Sequence, residues 1–151
     1  MRQTLTTGNN AILINLNKYK QLILSILQEN GLGKENLAFH KNPYMYANQK
    51  DILNRKAGMI GFSFTETTSG KKTILLKVEI SDQEQNDALE RIAFPLDRGR
   101  KHFLNKPERF VEHLVRHEIE HCVFRKPQAQ EHEADEEALK KMGFFESGVR
   151  F

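Results

Sequence analysis

PERFVEHLVRHEIEHCVFRKPQAQEHEADEEALKKMG, residues 107–143, is the stretch on which the fold of this chain turns. Pro107 suits the first turn of a helix, where a missing N–H leaves nothing unpaired. Behind it Phe110, Val111, Leu114, Val115, Ile119, Cys122 and Val123 recur at helical spacing as far as about Phe124. Pro127 forces a break, after which a helical pattern resumes from Ala129 to Met142, with Ala134, Ala138, Leu139 and Met142 on its packed side and Gly143 as its stop. A break this short folds the second helix back as an antiparallel neighbour of the first.

Outward from that pair, Met59 to Thr65 and Thr73 to Ile80 are rich in aromatic and β-branched residues. They flank the polar stretch Glu66-Thr67-Thr68-Ser69-Gly70 and so predict an antiparallel hairpin. Ile92 to Leu96 adds a candidate strand, and Ala11 to Leu16 another. Leu16, Tyr19, Leu22, Ile23, Ile26 and Leu27 then predict a first helix behind an Asn17 cap, ending near Asn30-Gly31. Gly31-Leu32-Gly33-Lys34 lacks the spacing and the following Ser or Thr of a phosphate loop, so Gly31 is read as a helix C-cap. Residues 35–57 are read as helix plus loop, with Pro43, Tyr44 and Tyr46 in the loop. The expected architecture is one α+β domain over residues 1–151. In it a small, mostly antiparallel sheet supports the helix pair, and the N-terminal helix covers the sheet's other apolar surface.

Composition agrees with one ordinary globular domain: 151 residues, 38% apolar and 28% charged. The net charge of +3 arises from 23 basic against 20 acidic side chains, a weak basis for nucleic-acid binding. The densest basic stretch, Arg98, Arg100, Lys101 and Lys106, is read as a solvated loop rather than a phosphate-binding patch. The single cysteine, Cys122, excludes an intramolecular disulfide framework and a cysteine-rich zinc finger, and fits a reducing compartment. No apolar run reaches the roughly 20 residues needed to cross a bilayer, and the amino terminus lacks the apolar core of a secretory signal. A cytoplasmic protein without a membrane partner is expected.

The chemistry lies in His117-Glu118-Ile119-Glu120-His121, an H-E-x-x-H pattern. On a helix the two imidazoles stand one turn apart and can share one zinc ion. Glu118, outside the coordination sphere, can act as general base towards the water that such an ion activates. A second cluster, Glu131-His132-Glu133-Ala134-Asp135, opens the next helix, and Glu131 can complete the ligand set. Glu133 and His132 are alternatives to it. Glu131 is preferred because it pairs with Asp135 at a single turn, and Asp135 can accept the remaining N–H of a zinc-bound imidazole, His117.

HEIEH followed by EHEADEEAL resembles the gluzincin pattern, an H-E-x-x-H helix and then E-x-x-x-D on the next. The nearest shapes are the minigluzincins and the soluble HtpX-like peptidase domains, and more distantly the ImmA/IrrE peptidases. The resemblance covers Pro107 to Gly143. It implies a zincin-like fold, a Zn2+ cofactor on His117, His121 and Glu131, Glu118 as general base, Asp135 in support, and hydrolysis of a peptide or protein substrate. It also implies that a strand ahead of the active helix pairs with the substrate backbone.

Other residues have ordinary roles beside these. His113 lies one turn before His117, displaced by about 6 Å along the helix and too far to join the same ion, so it is read as rim cap or partner of Glu112. Cys122 follows the apolar face. His40, His102, Tyr44 and Tyr46 are candidates for stabilising an oxyanion. Residues 144–151 are expected to pack on the body, with occupation of the cleft as the alternative. The rival function is a metal-stabilised regulatory or binding module with a non-catalytic zinc site, for which His132 or Cys122 would be the fourth ligand.

Overall fold

The computed structural model describes residues 13–50, 52, 58–92, 98–125 and 130–144. Its elements are β1 (Leu13–Asn15), a 3₁₀ turn (Leu16–Tyr19), α1 (Lys20–Glu29), a second 3₁₀ turn (Lys34–Asn36), β2 (Leu37–His40), α2 (Pro43–Gln49), β3 (Gly61–Thr65) and β4 (Lys72–Lys77). They continue with β5 (Glu79–Ser81), α3 (Asp82–Ile92), α4 (Arg98–Leu104), α5 (Pro107–Cys122) and α6 (Glu131–Lys141). The chain is α+β, as expected. β3 and β4 form the antiparallel hairpin, with Ser63 opposite Ile74, and β2 joins β4 in parallel to give the order β2-β4-β3. β1 and β5 form a separate antiparallel pair.

Strand alternation divides the core. Ile74 and Leu76 face α5 and pack with Ile23, Ile26, Leu27, Val111, Val115 and Ile119, each such buried side chain contributing about 1.5–3 kcal/mol. Leu75 and Phe62 face the other way and pack with Ala47, Tyr46 and Phe64. The sheet's second face is thus covered by α2, and α1 lies instead against α5, in the same cluster as the inner face. The expected placement of the N-terminal helix fails because its apolar side continues that of α5. Gly61 has little room for a side chain: a Cβ there would meet Leu76 Cδ2 at 3.1 Å, the Leu75 carbonyl oxygen at 3.3 Å and, on α5, Leu114 Cδ1 at 3.5 Å.

Further expectations change: Pro43, Tyr44 and Tyr46 lie in the helix α2, capped by Asn42, and not in a loop, and residues 37–40 form a strand. Residues 73–80 are two strands, because the Val78 N–H bonds His40 and its carbonyl takes the Leu16 N–H, which steers the chain from one sheet to the other. Ile92 ends α3 rather than opening a strand, and residues 93–96 lie outside the described residues. The cap at the N-terminal helical segment is Asn15, whose Oδ1 accepts from the Asn17 N–H. The basic loop is the helix α4, in which Arg100 is buried and ion-paired with Glu136 while Lys101 pairs with Glu90. Gly31, with φ of 79°, does terminate α1, and no described helix is long and apolar enough to cross a membrane.

Candidate metal centre

α5 presents His113, His117 and His121 on successive turns, while its opposite side is buried on the sheet and α1. α6 packs against α5 and brings its first residue, Glu131, over the last two imidazoles. Glu131 Oε1 lies 2.6 Å from His117 Nε2 and 3.1 Å from His121 Nε2, and the two nitrogens are 3.3 Å apart. Asp135, one turn along α6, takes the Nδ1 proton of His117 at 2.7 Å.

The donor set suits a small cation. Tetrahedral ligation at about 2.0–2.1 Å separates neighbouring donors by roughly 3.3 Å, close to two of the three separations seen, and two imidazoles with a carboxylate are a set that zinc shares with other first-row metals. Asp135 fixes the tautomer, so the lone pair of a neutral His117 sits on Nε2 and faces the other donors. The protonated cluster holds the same shape. Burial alone would lower the His117 pKa, but its hydrogen bonds to Asp135 and Glu131 outweigh that and raise it well above its ordinary value. Burial would raise Glu131, yet the bonds from His117 and His121 bring it down to about 2.

Glu118 is 4% exposed and lies between α5 and β3. Its Oε2 is 4.0 Å from His117 Nε2, and its Oε1 has no hydrogen-bond partner. Burial pushes its carboxyl above the usual range, against the charges of His117 and His121 and a hydrogen bond donated by Ser63. A buried, proton-seeking carboxylate with one oxygen unengaged, beside three converging donors, can move a proton to and from a molecule held at that point.

Of the alternatives for the third donor, Glu133 is exposed and outside the cluster, and His132 is 66% exposed and turned towards Glu136. Cys122 packs in the core, where burial pushes its thiol up to about 11, so it remains protonated. Neither rival fourth ligand therefore joins His117, His121 and Glu131. His40 and Tyr46 stack together, and Tyr46 packs on Phe62 and Phe64 on the face of the sheet away from α5. Tyr44 shares that helix, and His102 is exposed on α4. None of the four meets the cluster. Phe144 packs on Phe103, and residues 145–151, with the cleft-occupying alternative, lie outside the described residues.

Two participants, Ser63 and Lys141, had gone unread, and His113 has a different place from the one expected. Ser63 was legible in principle, since a serine among Phe62 and Phe64 places a hydroxyl on the strand's inner face. His113 is neither rim cap nor partner of Glu112, which pairs with Arg116; it is buried between α5 and α6 beside Asp135. Lys141 reaches back to the buried Glu120 and stacks on Phe124, tying the far end of α6 to that of α5.

Compared with protein-family models, curated proteins and solved structures, the chain matches none of them.

Proposed function

We propose that this chain is a zinc-dependent metallopeptidase, with zinc on His117, His121 and Glu131, Asp135 orienting His117, and Glu118 as general base. The observation that carries it is the meeting of those three donors beside a buried Glu118 with an unpartnered oxygen. Zinc bound there would supply Lewis acidity to a scissile carbonyl and bring the pKa of a water towards ~7. Glu118 takes the proton of the attacking water and returns it to the leaving amine, its raised pKa helping it hold the proton between the two steps. Ser63 keeps the Glu118 carboxylate turned towards β3. Among the described residues β3 is the edge of its sheet, so an extended peptide pairing along it would pass Glu118.

The non-catalytic alternative needs a fourth protein ligand, and the positions of His132 and Cys122 speak against it. Glu118→Gln tests the role assignment. Protein purified without chelator is expected to carry one zinc in both forms, and the variant to lose roughly 10²–10⁴-fold in cleavage of unfolded casein. Zinc missing from both would overturn the metal centre, and an active variant would overturn the role of Glu118.

A further inference from the structure

His113 is 2% exposed, yet its Nε2 has no hydrogen bond and lies 3.6 Å from Asp135 Oδ1. That oxygen is the one bound by His117 Nδ1. A histidine kept only for packing would be satisfied or replaced by an apolar residue, because an unpaired buried polar atom is unfavourable. We propose that His113 is a positioning residue for the metal centre, donating Nε2–H to Asp135 Oδ1 and so holding that carboxylate against His117. The inference rests on the metal-binding reading of His117, His121 and Glu131.

The physical case is one of constraint. One donor holds Oδ1 from a single direction and leaves the carboxylate free to swing, whereas donors from two successive turns of α5 hold that one oxygen from two directions. An ion held by His117 would take the place of the Nε2 proton and leave Nδ1–H as the ring's single donor, so that the ring's orientation would hang on the Asp135 carboxylate. A second donor then matters most. His113 can serve because it is itself neutral: burial holds its pKa down to about 4, despite the nearby Asp135 carboxylate. The site thus has three layers along the α5–α6 seam: the donors, Asp135 behind His117, and His113 behind Asp135.

The test measures zinc affinity of the metal-free full chain by competition with a chromogenic chelator. His113→Leu is expected to bind zinc roughly tenfold more weakly. His113→Gln, whose amide nitrogen stands near the place of Nε2, should recover most of the affinity, while the shorter His113→Asn should not. Asp135→Asn with His113→Leu should bind no more weakly than Asp135→Asn alone. Circular dichroism of the metal-free variants checks their folding, and the Gln–Asn contrast decides the matter if the leucine variant does not fold. Wild-type affinity in His113→Leu, equal affinities of the Gln and Asn variants, or additive losses in the double variant would each overturn the role of His113 alone. A wild-type chain that takes up no zinc would overturn the metal centre, and this inference with it.

Discussion

At His113, burial outweighs charge. The Asp135 carboxylate pulls the ring towards protonation, but desolvation, helped by His117 and Arg100, holds its pKa near 4 rather than near 6.5. Between those two values an unfolded chain binds a proton that the folded chain refuses, so ν_U exceeds ν_N and stability falls as pH drops through the window. From pH 7 to pH 5 the metal-free protein is expected to lose about 2 kcal/mol from this group alone. Urea unfolding at the two pH values checks it: His113→Gln, which cannot titrate, should show a correspondingly smaller acid loss, and an unchanged slope would assign the loss to other groups. At this scale the spacing of His117 and His121 was legible because four residues make one helical turn whatever surrounds them. The environment of His113 was not, since the residues that desolvate and attract it come from other elements.

Between elements, the clearest difference is in how α4 is held. Arg100 is buried, pairs with Glu136 on α6 and donates Nη1–H to the Ile92 carbonyl at the end of α3, while the next residue, Lys101, pairs with Glu90 in the open. Arg100→Met removes a buried cation together with its pairing to the partly exposed Glu136 and its bond to the Ile92 carbonyl, and is expected to cost about 1–3 kcal/mol, against less than about 1 kcal/mol for Lys101→Met. Equal small losses in urea titrations would show that Arg100 does not dock the helix. Sequence pattern alone makes the two cations look alike. α3 carries a cap signature that had gone unread: Ser81 and Glu84 form a reciprocal cap, with the Glu84 N–H donating to Ser81 Oγ and the Ser81 N–H to Glu84 Oε1. The parallel strand β2 carries no comparable signal, because four half-buried residues show no alternation and their partner lies more than thirty positions away.

For the molecule as a whole, the proposed ligands come from two helices, so a bound ion would tie α6 to α5 and stabilise the folded state over the unfolded one. Zinc at a hundred times its dissociation constant is expected to add about 2.7 kcal/mol. Thermal unfolding with zinc and with chelator measures the gain, which should vanish in His117→Ala; an equal gain in that variant would put the binding elsewhere. By itself the sequence determined the two helices of residues 107–143, the β3–β4 hairpin and the one-turn spacings that set His117 beside His121 and Glu131 beside Asp135, all of which follow from local periodicity, breakers and spacing. Only the tertiary structure decided that Glu131 rather than Glu133 or His132 meets the imidazoles, that Ser63 holds Glu118, that His113 is buried beside Asp135, and that α2 instead of α1 covers the outer face of the sheet. Those outcomes depend on how apolar faces match between segments distant in the chain, and no short-range pattern encodes such a match.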